Sequence, residues 1–129
     1  MTENATPKKS MTQMTECKGR VLCYSIQGIV SLQDYESFMK HLTDAVHEYG
    51  SINLLFYYTP EFKGWQPEAA DANMKAILDF GRSTDRLAYV NPPEKKIMQH
   101  KIAPELFGGE MKYFDKDKLA EAIEWIKAA

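Results

Sequence analysis

Three histidines, two cysteines and a scatter of carboxylates are the side chains of this 129-residue chain with the chemistry for catalysis or metal binding. His41 and His47 are six apart, so on a helix they point in different directions, whereas a helical metal pair needs a spacing of three or four. Asp44 and His47 have that spacing, with Glu48 beside them, and read as a solvated charge cluster on an outer helix face. His100, next to Lys101, reads as a surface or helix-capping residue. Asp79, Asp85, Glu94, Glu105, Glu110, Asp115 and Asp117 form no spaced pair for acid/base work, and Asp115 is better placed as a helix cap. Cys17 and Cys23 make neither a Cys-x-x-Cys motif nor a zinc half-site. Cys23 lies in the apolar run Val21-Leu22-Cys23-Tyr24 and reads as a core residue, while Cys17, before Lys18-Gly19-Arg20, reads as an idle surface thiol, the alternative being a reactive thiol beside the cations Lys18 and Arg20. No glycine-rich phosphate loop or nucleophile elbow occurs. The expectation is a protein that needs no metal and no organic cofactor, with no catalytic residues to assign.

What remains is Phe62-Lys63-Gly64-Trp65, two large aromatics, a cation and a glycine just past an apolar block, Ile52 to Tyr58. The aromatics have two roles open to them: capping the end of the core, or lining an apolar pocket or subunit contact. In the second role Phe62 and Trp65 are walls and Gly64 lets the backbone turn. Lys63 then meets an acidic head group at the rim. Phe62, Lys63, Gly64, Trp65 and the adjoining Tyr58 form the candidate ligand-binding set.

The elements that position this set follow from periodicity. The block Ile52-Asn53-Leu54-Leu55-Phe56-Tyr57-Tyr58 is short, aromatic and barely alternating, which predicts a strand covered on both faces inside a parallel sheet. Residues 1–10 read as a frayed tail. Met11 to Glu16 and Arg20 to Gln27 predict an antiparallel hairpin, ended by Gly28. Ser31-Leu32-Gln33-Asp34 opens a helix with the stripe Tyr35, Phe38, Met39, Leu42, Ala45, Val46 and Tyr49, stopped at Gly50. Pro67 opens a second helix with the inner face Ala69, Ala70, Met74, Ile77 and Leu78. Arg86 to Val90 is a strand, Glu94 to His100 a short helix, and Glu110 to Phe114 the last strand. Asp115 then caps a final helix with the stripe Leu119, Ala122, Ile123 and Ile126. The order ββαβαβαβα predicts one α/β domain over residues 11–129, a mostly parallel sheet with right-handed crossovers.

Composition narrows the partners. A net charge of −2 and a pI near 5.9 give no basic field for nucleic acid, and the strand tyrosines do not interleave with a basic stripe. No run approaches the ~20 apolar residues of a membrane span, and no signal-peptide core follows Lys8-Lys9, so the expected address is cytoplasmic. Trp125 falls off the inner stripe of the last helix, which predicts self-association, most simply a homodimer.

The segments Gly28 to Tyr35, Ile52 to Trp65, Asp85 to Val90 and Met111 to Asp115, with Leu119, Ala122 and Trp125, come in an order that resembles the SpoIIAA-like bacterial proteins of the STAS/CRAL-TRIO-like group. The resemblance covers nearly everything after the tail and is sharpest at Phe62-Lys63-Gly64-Trp65. It implies an alternating strand–helix sheet and, from its CRAL-TRIO side, a hydrophobic-ligand site between sheet and helices. Anti-sigma-factor antagonists of this group carry a phosphorylated serine at the start of the helix after the central strand. Here Thr59-Pro60-Glu61-Phe62-Lys63-Gly64-Trp65-Gln66-Pro67 holds no serine, so the phospho-switch is not carried over. The function expected is a non-enzymatic binding or regulatory module for a small apolar or amphipathic ligand or a protein partner. The alternatives are a small enzyme with residues from dispersed loops, His100 or Asp85 among them, and a structural homo-oligomer.

Overall fold

An apolar block with no wet face must have both faces and both edges covered, and its surroundings follow from that. In the computed structural model, which describes residues 9–93 and 109–128, the block begins a long strand, Ile52–Trp65. Four further strands, Met11–Gln13, Val21–Val30, Thr84–Val90 and Glu110–Phe114, complete the sheet. In chain order the strands are β1 to β5, with Ile52–Trp65 as β3. The helices are α1, Leu32–Tyr49, α2, Pro67–Phe80, and α3, Leu119–Lys127. The sheet order is β1-β2-β3-β4-β5, with β1 antiparallel to β2 and each later pair parallel. β3 is central between parallel neighbours, as its apolarity requires. The helix expected from Glu94 to His100 lies outside the described residues.

Alternation along the strands sorts side chains onto two faces. Leu22, Tyr24, Ile26, Leu54, Phe56 and Tyr58 meet α1 and α2 in the larger core. Cys23, Leu55, Ala88 and Val90 meet Ala122 and Ile126 of α3 in the smaller one. Sequential right-handed crossovers put α1 and α2 on one side. Ser31 caps α1 by accepting the Asp34 amide at 3.2 Å, as its sequence predicts.

Three local readings are corrected by tertiary contacts. Gly28 does not end β2, because at φ +60° it carries the strand through a bulge to Val30. The inner face of α2 is Ala69, Ala76 and Ile77, while Met74 and Leu78 lie exposed. The rotation brings Asn73 inward, where the Tyr35 hydroxyl donates to its Oδ1 at 2.8 Å. Asp115 accepts the Lys118 amide in a turn before α3 and does not cap the helix.

The cysteines are also corrected. Cys17 is buried and disulfide-bonded to Cys23, against the α3 side of the sheet. The sequence separation of six is spanned because the hairpin connection folds back beside β2, leaving the Cα atoms 5.8 Å apart.

Asn53, fully buried in β3, joins this face together. Its Nδ2 donates to the Ile126 carbonyl at 2.9 Å and its Oδ1 accepts the Arg86 amide at 3.1 Å. It thereby pins the last turn of α3 and bridges the register shift at the start of the β3–β4 ladder. We expect Asn53→Ala, which orphans both partners, to lower unfolding free energy by about 1–3 kcal/mol. Urea denaturation measures it, and an unchanged midpoint would show that neither bond contributes.

Candidate functional site

Beyond Tyr58 the sequence suggests a loop, and the structure has more strand. Pro60 offers no amide to a ladder, but the Thr59 hydroxyl donates to the Ile26 carbonyl at 3.1 Å and accepts the Glu61 amide at 3.3 Å. The side chain thus bridges the bulge. Pairing resumes as Gly28 with Phe62, Ile29 with Gly64 and Val30 with Trp65. Gly64, at φ +142°, takes a backbone conformation open to glycine and to few other residues.

This extension sets the candidate residues. Phe62 and Trp65 are half-buried and pack on the larger core. Phe62 meets the buried Tyr58 edge-on at 5.0 Å, and Trp65 lies 5.7 Å from Tyr35 on α1. Lys63 is exposed and borders an open groove with Glu61, Gln27 and Ile29.

Tyr35 leads from this segment into a cleft between α1, α2 and the sheet. Phe38, Leu54, Phe56, Ile77, Leu87 and Tyr89 give it apolar walls, and the cavity itself is about 30 Å³. The Tyr35–Asn73 pair is a polar feature of this wall. One cross-strand row of aromatics, Tyr24, Phe56, Tyr89 and Tyr113, runs in register over β2 to β5 beneath the helices. Phe56 and Tyr89 stack at 5.9 Å, and Tyr89 and Tyr113 at 6.2 Å. Desolvation pushes the phenols of Tyr35, Tyr58 and Tyr89 above the ordinary tyrosine value, and Tyr35 adds to the shift at the other two. These phenols therefore stay neutral at physiological pH.

The other sequence candidates are dispersed. Asp85 accepts from Arg20 at 2.6 Å and from Ser51 at 2.7 Å, at the opposite end of the sheet from Trp65. Asp44 pairs with Lys40, and His47 is exposed. His100 lies outside the described residues. His41 touches the Tyr24 hydroxyl, a contact between β2 and α1 that spacing along the chain does not reveal. Trp125 meets its own chain's Arg86 at 4.8 Å and Lys112 at 5.6 Å. Among the described residues no three His, Cys, Asp or Glu side chains converge as a metal site, and no helix is long and apolar enough to cross a membrane. Asn73 and Asn53 escaped the sequence reading. The signal was there for both, a lone polar residue on an apolar face.

A SpoIIAA-like family model matches residues 21–127. The chain belongs to the SpoIIAA-like family. Among solved structures it resembles an uncharacterized protein of the DUF3478 family with a SpoIIAA-like fold from Shewanella loihica PV-4, at 21% identity and a TM-score of 0.71, over 96% of this chain and 99% of that one. It also resembles the anti-sigma factor antagonist SpoIIAA in its unphosphorylated form, at 11% identity and a TM-score of 0.61, over 92% of this chain and 99% of that one. No curated protein matches it. These likenesses show the SpoIIAA-like fold. In this member α2 opens at Pro67 behind Gln66, and its first turn, Pro67 to Ala70, carries no hydroxyl.

The buried phenols give the SpoIIAA-like core an alkaline limit. A phenol whose folded value is raised contributes stability in full below the unfolded value near 10 and loses it as pH rises through the folded value. We expect the melting temperature to fall steeply above about pH 10, and Tyr35→Phe, which cannot ionise, to flatten the fall. Calorimetry from pH 8 to pH 11 reads it, and identical slopes would remove Tyr35 from the account.

Proposed function

We propose that this chain is a non-enzymatic binding module for a small apolar or amphipathic ligand, held in the cleft between α1, α2 and the sheet. The observation that carries the reading is the cleft lining. It is aromatic and aliphatic, its tyrosines stay neutral, and the Tyr35–Asn73 pair supplies a polar anchor. Such a lining suits an apolar body with one hydrogen-bonding group. On this reading Trp65 and Tyr58 close the cleft end through the Trp65–Tyr35 and Tyr58–Tyr89 contacts, with Phe62 packed on Tyr58 and Gly64 giving the turn of the backbone. Lys63 borders the neighbouring open groove, and on this reading its flexible cation reaches an acidic head group from there. A cavity of about 30 Å³ has room for roughly one water, so a ligand enters by displacing side chains of α2.

Fluorescent fatty-acid probes test the reading. Wild type takes up probe, Ala76→Phe fills the cleft and cuts affinity at least about tenfold, or about 1.4 kcal/mol, and Trp65→Ala weakens uptake. Circular dichroism verifies that each variant is folded. Loss of stability in Trp65→Ala with unchanged uptake, or no uptake by wild type across a panel of amphipathic probes, refutes the proposal.

A second reading, a contact surface for another copy of the chain or for a protein partner, is favoured by α2 itself. Met74 and Leu78, one turn apart, are 43% and 63% exposed. On this reading wild type sediments as a dimer at tens of micromolar and Leu78→Glu as a monomer. A monomeric wild type counts against the dimer.

A further inference from the structure

Across α1 from the cleft, a groove of about 370 Å³ runs between α1 and β1. At its base the Tyr24 hydroxyl lies 2.6 Å from His41 Nδ1. Burial pushes the Tyr24 phenol up to about 12, so it keeps its proton. Met11, Thr12 and Gln13 of β1 form the outer wall. That wall is only three residues long. It is tied at its front by the Ser10 amide and hydroxyl, each 2.7 Å from Asp34 Oδ2. At its rear the Met14 amide donates to the Cys23 carbonyl, and the Cys17–Cys23 disulfide holds the connection to β2. Alternation along β2 turns Cys23 to the α3 face and its neighbour Tyr24 to the groove face.

We propose that Cys17 and Cys23 are a redox latch for β1: the disulfide keeps the strand closed over Tyr24 and His41, and reduction to two thiols lets it lift from the sheet. The bridge closes a ring only six residues apart in sequence, so it constrains the hairpin connection and leaves the β3-centred core to its own contacts. A three-residue edge strand is a unit of low local stability. The family match begins at residue 21 and so does not include Cys17 and β1. Cys17 is itself buried but sits between exposed Glu16 and Lys18, near the protein surface.

The partners are a small-molecule disulfide as oxidant and a small-molecule thiol as reductant. In oxidation the Cys17 thiolate attacks one sulfur of the oxidant and expels a thiolate. The Cys23 thiolate then attacks Cys17 Sγ and expels the second. Two electrons pass to the oxidant and two protons leave the cysteines. Reduction is the reverse.

Native protein is treated with dithiothreitol or with oxidised glutathione, thiols are counted by alkylation and mass spectrometry, and backbone hydrogen exchange is followed. The latch gives two alkylated thiols after dithiothreitol and none after oxidised glutathione. Exchange over residues 10–16 speeds up at least tenfold in the reduced protein, while β3 and β4 are unchanged. Cys17→Ala shows the fast exchange with or without dithiothreitol, and if it does not fold, the wild-type comparison decides alone. Thiols that stay bonded under dithiothreitol in the native state overturn the proposal. So does reduction that leaves exchange over residues 10–16 unaltered. Both readouts are independent of probe uptake in the α1–α2 cleft, so the ligand proposal and the latch fail separately.

Discussion

The rest of the structure depends on one constraint, that β3 from Ile52 to Phe56 is buried on both faces. A dry strand has no water to satisfy its amides and carbonyls, so both edges must carry ladders. β2 and β4 supply them in parallel, and parallel neighbours require helical crossovers. Asn53 is the exception within the dry run. Its amide is tolerated because both of its ends find backbone partners, and those partners lock α3 and β4 to β3. At the far strand the same economy of space recurs. A Cβ on Gly109 would overlap the Asp85 carbonyl, so glycine is required where β5 enters beside β4.

The two faces have different characters because their residues differ in size. On the α3 side, Ala88 and Ala122 let the helix sit close, and Asn53 and the Arg86–Trp125 contact fasten it. On the α1–α2 side, the row from Tyr24 to Tyr113 presents large flat rings to the helices. Tyr24 and Phe56 of this row meet Phe38 of α1 edge to face, at 4.9 and 5.4 Å. That geometry places the cleft here and ties it to Tyr35, Trp65, Tyr58 and Phe62 as one aromatic cluster. The polar chemistry lies elsewhere, with Asp85, Arg20 and Ser51 at the opposite sheet end and Tyr24–His41 across α1.

Sequence alone determined the architecture. Two-faced apolarity placed β3 in the sheet interior, the Ser31 capping box and 3.6-residue stripe placed α1, and alternating elements required a parallel sheet with a leading hairpin. These are local signals, set by periodicity and backbone chemistry, and the order of segments sufficed to suggest the family. Tertiary structure alone decided what crosses between elements. The α2 stripe turned because Tyr35, 38 residues away, offered Asn73 a partner. The Phe62 to Trp65 segment became strand because Thr59 bridged Pro60 to a carbonyl on β2. Cys17 and Cys23 joined because the hairpin connection folded against the α3 face, and four aromatics from four strands became one row because register aligned them. Pairing, register and face are properties of distances between segments, and a linear sequence carries those only after the chain has packed.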